Sequence, residues 1–433
     1  MDPSQRPAFA PLGNIIGPAW KKNGIHTAIF EFLWGAGMPF TFPFAVLPLY
    51  LVALGRSRTF LQSVLVVIAL LGLLQIWSGR WSHGVHRHRR ISFLWMLNGS
   101  VWLLYGSLAL LLRDQLGPVL LSLLLAGGLM AGSLFFYLAN PAYYEMLVEN
   151  IPLHRRGAMA GLRILANGAG ALLGLPFAAA LMRSAPIPDS FHWRFVVGGL
   201  LMSAGTLWFW TFFRDVAAVS PHHELPPAPL ATVSRLLRCP PFRRFLIGHM
   251  LLAGAQSLAP LLVAAAKDRL RLAADAMEPF VLSFFLGIAL VGPLIAWLGD
   301  RMGFRRVAAL NGMLLALAFA AAAWTSAIPH GHGPSLFVAY GLYGASVLVA
   351  TVVLSHFGSE LIPEIKPSFF FATAVVLAGP CTLIAAPLGG AVVDGGGRYA
   401  YAIVFAAAAL LAAASALVFI RFVPEPRRPD PSA

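Results

Sequence analysis

Charged residues are scarce in this sequence. Only 11% of its 433 residues are Asp, Glu, Lys or Arg, while 58% are hydrophobic, and the mean hydropathy is +0.76. Soluble domains contain about 25% charged residues, so this chain lacks the polar surface that a globule needs in water. The shortage excludes a soluble fold and favours a chain that is mostly embedded in lipid.

Acidic residues and cysteines are also few. The chain has 31 Lys and Arg against 17 Asp and Glu. The basic residues occur in short clusters between apolar runs, an arrangement typical of membrane topology and not of a nucleic-acid surface. Cys239 and Cys381 are too far apart for a disulfide framework or a metal site. The sequence therefore predicts no metal, no cofactor and no nucleic-acid partner.

Motifs of several enzyme classes are missing. The sequence has no G-x-x-x-x-G-K-[ST] loop, so the chain does not hydrolyse ATP through a P-loop. H-E-x-x-H and G-x-S-x-G are absent as well, which argues against a hydrolase embedded in the membrane. We therefore do not expect an enzyme.

Twelve apolar stretches are long enough to cross a bilayer, whose core of about 30 Å needs about 20 helical residues. Lipid offers the backbone no hydrogen-bond partners, and runs such as Leu61 to Leu74 lack the alternation of barrel strands, so each stretch predicts a helix. The predicted spans are 27–53, 59–78, 91–112, 118–144, 158–182, 195–213, 245–266, 277–298, 307–327, 335–356, 369–393 and 399–420.

Basic residues indicate the topology. Of the 31 Lys and Arg, 21 fall on one side of the predicted spans and nine on the other, and Arg163 lies within a span. This bias places both termini in the cytoplasm, in a bacterial inner membrane. The predicted organisation is a cytoplasmic tail (1–26), an N-terminal six-helix bundle (27–213), a cytoplasmic linker (214–244) with a short helix at Leu230–Leu237, a C-terminal six-helix bundle (245–421) and a cytoplasmic tail (422–433).

The two halves are related in sequence. A shift of 211 residues without gaps aligns a Glu-x-x-Pro loop and a following Gly and Pro in both halves. Matched interruptions of this kind mark helices that bend around a central path in transporters, although Gly and Pro are common in membrane helices generally. The aligned pairs are Glu149 with Glu360, Pro152 with Pro363, Gly168 with Gly379 and Pro176 with Pro387.

The loop between the eighth and ninth predicted spans carries a distinctive pattern, Ala296-Trp-Leu-Gly-Asp300-Arg301-Met-Gly303-Phe-Arg305-Arg306. A carboxylate at such a helix end can meet the positive N-terminus of a neighbouring helix, and Gly303 permits a tight turn. The pattern resembles the signature loop of the major facilitator superfamily, G-x-x-x-D-R-x-G-R-R. It departs from that loop by Ala296 in place of the first glycine and by Phe304, inserted before the two arginines.

A second loop, from Glu149 to Gly161, is similar to the E-x-x-P-x-x-x-R-G-x-x-x-G pattern of the same superfamily. The first-half counterpart of the signature loop is basic, and His83 or its neighbours stand where the acid would be. Two interpretations remain: the histidines make the latch pH-sensitive, or they are merely solvated. The resemblance covers essentially the whole chain. It implies an all-α membrane protein with twelve transmembrane helices in two pseudo-symmetric six-helix bundles, one rocking against the other.

Two ionisable residues lie inside predicted spans. Glu31 is on the first span and Arg163 on the fifth, which the resemblance makes neighbours, so an ion pair between them is expected. One interpretation is a site for proton coupling or for a substrate charge, because burial of such groups is costly. The other is that both reach the membrane interface and only hold the bundle together. His249 is a further candidate for proton coupling.

The resemblance places spans one, four, seven and ten around a central cavity. Uncharged hydrogen-bonding groups and aromatic rings at mid-depth suit a neutral or weakly charged organic solute, although any single aromatic is more often a packing residue. Asn167 on the fifth span is a further cavity candidate. The others are Trp34, Thr41, Tyr137, Asn140, His249, Gln256, Tyr340, Tyr343 and Ser346.

Charged residues near the cytoplasmic helix ends predict a latch. The acidic members are placed to pair with Arg87 to Arg90 and with Arg301 or Arg305. Such pairs are weak singly when exposed, so the latch is expected to act as a network. The predicted gate consists of Asp300, Arg301, Gly303, Arg305, Arg306, Glu145, Glu149, Arg156 and Glu360.

The leading hypothesis is a monomeric secondary active transporter that moves a small organic solute across the inner membrane by alternating access, with protons as the candidate coupling ion. The alternative is a transporter-like membrane sensor or assembly partner without transport activity. Receptors of that kind usually need an added soluble domain or a long tail, and this chain has only short tails.

Overall fold

The structure is a computed structural model that describes residues 19–41, 46, 50–51, 54–78, 86–112, 115–186, 188–215, 229–270, 277–328 and 333–426. His83 and its neighbours in the first-half loop lie outside the described residues, as do the prolines at 226 and 227 and most of both predicted tails.

All regular structure within the described residues is helical, and we number the spanning helices α1 to α12. Ten of them, α3 to α12, are long and apolar enough to cross a membrane. Helices α1 and α2 occupy the first two predicted spans, so the arrangement is consistent with twelve. The bounds are Ala19–Thr41, Arg58–Leu71, Arg87–Leu111, Pro118–Glu149, Arg156–Ser184, Asp189–Phe212, Pro240–Leu270, Glu278–Met302, Phe304–Ala327, Gly333–Leu361, Pro367–Asp394 and Ala400–Phe422.

Three helices contain an irregular segment. Helix α2 continues as a 3-10 helix, Gly72–Trp77, α7 is interrupted by a turn at 257–260, and α10 contains a π-helical turn, Val353–Phe357. Such segments have weaker backbone hydrogen bonding than an α-helix and are frequent at hinges and functional sites.

Several helices begin or end outside the predicted spans. Helix α1 begins at Ala19, within the segment predicted as a tail, and α7 begins at Pro240, within the predicted linker. The predicted bounds follow hydropathy, whereas a helix continues past the lipid wherever its backbone hydrogen bonds are satisfied. The linker helix forms at Pro229–Arg238, as the sequence predicts, with Leu236 buried and Arg235 exposed.

Glycines bring α5 into close contact with a helix on either side. A Cβ atom at Gly35 of α1 would lie 2.0 Å from the carbonyl oxygen of Asn167, and one at Gly161 would lie 2.4 Å from that of Gly292 in α8. Only glycine permits such an approach, which is a common way for helices to pack in membranes. Helix α5 is therefore held between α1 of its own half and α8 of the other half.

Candidate functional site

A buried ion pair lies between α1 and α5. The guanidinium of Arg163 donates from Nε and Nη2 to Glu31 Oε1, the first over 2.9 Å. The hydroxyl of Tyr143 donates to the same oxygen over 3.0 Å, and Asn167 Nδ2 donates to Glu31 Oε2 over 3.1 Å. Three side chains thus satisfy one carboxylate, as a charge away from water requires. The ion pair forms as the sequence predicts.

The ion pair is buried within the protein. Glu31 is 7% exposed and Arg163 is 6% exposed. A role in proton coupling and a role in only holding the bundle together both stay predictions. The guanidinium carbon of Arg163 lies 5.0 Å from the ring centre of Tyr143 and 5.1 Å from that of Tyr144, within cation–π range. A buried ion pair contributes little net stability compared with apolar packing, so stability alone does not account for it.

Asn167 keeps one buried polar atom without a hydrogen-bond partner among the described residues, its Oδ1. The side chain is only 2% exposed. Buried amide oxygens are normally bonded, so this atom is available to a hydroxyl or an N–H of a bound molecule.

Helix α4 connects the ion pair to the other half. The ring of Tyr144 stacks on that of Phe371 in α11, with centroids 5.3 Å apart. The next residue, Glu145, accepts hydrogen bonds at Oε2 from the hydroxyl and the backbone N–H of Ser368, the latter over 3.3 Å. Tyr143 and Tyr144 of α4 therefore contact the ion pair, and Tyr144 and Glu145 contact the N-terminal part of α11.

Charged groups cluster where α4, α8 and α10 end and α5, α9 and α11 begin, which we call the linker end. Arg87 at the start of α3 is 3% exposed and meets three carboxylates. Its Nη1 lies 2.6 Å from Glu149 Oε2 and 3.4 Å from Glu145 Oε1, and its Nη2 donates to Asp215 Oδ1 over 3.0 Å. Asn150 Nδ2 donates to the same Asp215 oxygen over 2.8 Å.

Asp300, in the last turn of α8, contacts the N-terminus of α5, so the bond joins the second half to the first. Its Oδ1 accepts from the backbone N–H of Gly157 over 2.7 Å, and its Oδ2 accepts from that of Ala158 over 2.9 Å. This is the contact that the sequence predicts, and the positive end of the helix favours it. We call the packing of α5 against α8 the first seam, and that of α2 and α4 against α11 the second seam.

Other gate candidates also contact their neighbours at the linker end. Arg156 Nη1 donates to Ser359 Oγ of α10 over 3.2 Å, across the two halves. The backbone N–H of Arg305 donates to Glu425 Oε2 over 3.1 Å, next to Gly303, whose φ of 82° is favourable only for glycine. Pairing of Glu360 with Arg301 or Arg305, and any part played by Arg306, stay predictions.

Four cavity candidates pack inside their own halves. Thr41 Oγ1 donates to a backbone carbonyl of its own helix over 3.3 Å, and Ser346 Oγ does the same over 2.9 Å. The rings of Tyr340 and Tyr343 pack against phenylalanines of α8, at centroid distances of 5.6 and 5.5 Å. These contacts favour a packing role. The hydroxyl of Tyr340 nevertheless has no partner among the described residues.

The remaining candidates are more scattered. Trp34 belongs to an aromatic cluster, with its ring centre 5.7 Å from that of Trp95. His249 is buried and stacks on Phe245 of its own helix at 6.0 Å. Asn140 is buried, and Tyr137 and Gln256 are half-buried.

Several polar residues of the site have no recognisable sequence signal. Gln75, in the 3-10 segment of α2, is 1% exposed, and neither of its amide atoms has a hydrogen-bond partner among the described residues. Tyr50, which follows α1 in the sequence, contacts α3 and α6, because its hydroxyl lies 2.8 Å from both Tyr105 Oη and His192 Nε2. Within the described residues, no group of His, Cys, Asp and Glu side chains has an arrangement that could hold a metal ion.

Comparisons with known proteins agree with this architecture. The model of the Major Facilitator Superfamily matches residues 34–379. The proton:xylose symporter XylE superposes with a TM-score of 0.67 at 15% identity, over 94% of this chain and 96% of that one. A bacterial homologue of the iron transporter ferroportin, in an outward-facing state, gives 0.63 at 17% identity, over 92% and 98%.

FucP in its outward conformation gives a TM-score of 0.60 at 16% identity, over 94% of this chain and 100% of that one. At such low identity these likenesses show the fold alone. A comparison with curated proteins found no significant match. Because the family model matches most of the sequence and the helices fold accordingly, the chain belongs to the major facilitator superfamily.

Proposed function

We propose that this protein is a secondary transporter that carries a small, neutral organic solute across a bacterial inner membrane, by alternating access and in exchange with or together with protons. Family membership and the fold support transport. The excess of basic residues at the linker end supports a cytoplasmic location for that end. The cytoplasmic end is then the closed one, because Asp300, Glu145 and Arg156 each bond to the opposite half there.

The buried Glu31–Arg163 pair is the observation that carries proton coupling. An ionised pair away from water is costly to maintain, and one partner left alone is costlier still. A proton on Glu31 removes the charge that holds Arg163, so the guanidinium becomes free to move toward another acceptor. Glu31 is thus the proton-binding group, and Arg163 is the group that responds to its charge.

The response reaches the second seam through α4. Arg163 lies against the ring of Tyr144, which stacks on Phe371 of α11. A shift of the guanidinium therefore disturbs the stacking of Tyr144 on Phe371, which is a contact between the halves. The next residue of α4, Glu145, makes the bond to Ser368. Protonation and the closing of the linker end are coupled because they use the same turn of α4.

The solute is expected to be uncharged. Glu31 and Arg163 neutralise each other, and the candidates contributed by α7 and α10 carry amide, hydroxyl, imidazole and aromatic groups. Asn167 Oδ1, which has no hydrogen-bond partner among the described residues, favours a hydroxyl or N–H donor on the solute. Sugars and nucleosides have this chemistry, and XylE is a proton:xylose symporter.

Transport can be tested with purified protein in proteoliposomes. Pentoses, hexoses and nucleosides are first screened by thermal shift, because a bound ligand raises the unfolding temperature. The solutes that bind are then tested as radiolabelled substrates with and without a proton gradient. We expect a gradient to drive accumulation, and Glu31→Gln to abolish accumulation while counterflow exchange continues.

The matched control is Glu364→Gln, an exposed carboxylate at the linker end, which should accumulate solute like the unmodified protein. Accumulation by Glu31→Gln at the normal rate would exclude Glu31 as the proton site. If no solute binds or moves under any condition, the sensor or assembly role is favoured and the transport proposal fails.

A further inference from the structure

Two helices of this molecule start at equivalent positions of the repeat, and each start contacts a carboxylate. The shift of 211 residues that aligns the halves places Ser368, at the start of α11, opposite Gly157, at the start of α5. Asp300 accepts hydrogen bonds at the start of α5, and Glu145 accepts them at the start of α11. Both bonds join one half to the other.

The two carboxylates come from different parts of their halves. Asp300 belongs to the signature pattern of the sequence, in the last turn of α8. The equivalent loop of the first half, from Gly79 to Arg90, contains no Asp or Glu at all, so it has no carboxylate to offer α11. Glu145 belongs instead to α4, one turn before that helix ends.

We propose that Glu145 replaces the missing loop carboxylate and acts as the anchor that closes the second seam at the linker end. The proposal rests on the proposed function, since an anchor that closes one end has a role only if that end also opens. The N–H groups of Phe369 and Phe370 in the first turn of α11 bond to the carbonyl of Lys366, whereas that of Ser368 bonds to Glu145. A carboxylate at this place satisfies the N–H of Ser368 and meets the positive end of the helix dipole. Glu145 is a positioning residue here, because it acts on the helix and not on the solute.

Arg87 makes this anchor different from Asp300. Glu145 is 7% exposed, and its Oε1 lies 3.4 Å from Arg87 Nη1 while its Oε2 holds Ser368. When α11 moves away, Glu145 keeps a charged partner within its own half. Opening therefore does not leave an uncompensated buried charge, which would otherwise be a large barrier. The same arginine also holds Glu149 and Asp215, so the anchor is fixed in position before α11 arrives.

The test measures how far the linker end opens. Spin labels are placed on a cysteine-free protein (Cys239→Ser, Cys381→Ala) at the exposed positions Leu153 and Arg421, one in each half at the linker end. Double electron–electron resonance then gives the ratio of open to closed populations in Glu145→Gln, Glu145→Asp and Glu364→Gln. Thermal unfolding of each variant is recorded in parallel.

We expect Glu145→Gln to raise the open-to-closed ratio by about tenfold or more, the change that corresponds to loss of a hydrogen bond to a charged group. Glu145→Asp should restore part of the closed population, because it keeps the charge on a shorter side chain. Glu364→Gln should leave the ratio unchanged.

A merely structural role of Glu145 would lower the unfolding temperature and leave the distances as they are, and that result overturns the inference. If the unmodified protein alternates between two distances and Glu145→Gln matches Glu364→Gln, the anchor fails while the transport proposal stands. If the unmodified protein shows one distance under all conditions and no uptake, both fail.

Discussion

The two seams between the halves are built differently. In the first seam, glycines let backbones touch: a Cβ at Gly168 would lie 2.5 Å from the backbone nitrogen of Ala289. In the second seam, the equivalent Gly379 has no atom of the described residues within 4 Å of its Cβ position. The second seam depends instead on side chains, notably the bond of Glu145 to Ser368 and the stacking of Tyr144 on Phe371.

The difference indicates a division of roles. Close backbone packing gains many van der Waals contacts and is intolerant of added volume. A seam of aromatic and charged side chains can separate and re-form, and it responds to the charge of its neighbours. We infer that the first seam acts as the more rigid contact and the second as the one that protonation controls.

The largest expected effect concerns the ion pair beside the second seam. Arg163→Met leaves Glu31 buried without its charged partner, and we expect a loss of about 3–5 kcal/mol in the free energy of unfolding. Chemical denaturation in detergent measures it. The double variant Glu31→Gln with Arg163→Met should recover most of the loss, because no lone charge remains. A loss below about 1 kcal/mol for Arg163→Met would contradict the buried pair.

The next effect compares the seams at matched positions. Gly168→Ala places a methyl group against Ala289, so we expect a loss of about 1–3 kcal/mol. Gly379→Ala meets open space and removes a flexible residue from a helix, so it should be neutral or stabilising by up to about 1 kcal/mol. Thermal unfolding of both variants tests the opposite signs. Equal losses would show that the seams do not differ in packing.

Much of this arrangement is readable in the sequence. Hydropathy predicts the spans, and the Glu31–Arg163 pair follows from two ionisable residues on neighbouring helices. Asp300 stands out because its loop has a recognisable pattern. The parts played by Tyr143, Tyr144 and Glu145 are not predictable in the same way, because they depend on how the helices pack. Their partners lie on four other helices, α1, α3, α5 and α11.

Local irregularities are also beyond the sequence pattern. The stretch 59–78 reads as one uniform apolar span, yet it changes from α-helix to 3-10 helix at Gly72. The sequence predicts that Glu145 pairs with basic residues of α3, and Glu145 does meet Arg87. Its bond to α11 is not predictable from the first half alone, because the partner lies in the other half. Tertiary contacts, not local preferences, decide both features.

A smaller effect is expected at the anchor of the first seam. Asp300→Asn keeps the shape of the side chain but removes the charge from the N-terminus of α5, which should cost about 1–2 kcal/mol. Because glycine packing still holds the first seam, its opening measured with the Leu153 and Arg421 labels should change less than in Glu145→Gln. A larger opening in Asp300→Asn would reverse the assignment of the two seams.

The smallest effect is expected at the far end of the first seam. Arg183 Nη1 lies 3.2 Å from Glu278 Oε2, but the side chains are 64% and 30% exposed, so water and salt weaken the pair. Glu278→Gln should change the free energy of unfolding by less than about 0.5 kcal/mol. A clear loss that disappears in high salt would show that this pair contributes to the seam.

Alternating access, in which one end closes as the other opens, is tested most directly by measuring both ends of the same protein. Labels at Leu153 and Arg421 report on the linker end, and labels at Gln115 and Arg398 report on the opposite end, where both residues are exposed. On adding a solute that binds, or on changing from alkaline to acidic buffer, one distance should lengthen while the other shortens. Distances that stay fixed at both ends, or that change in the same direction, would contradict alternating access in this protein.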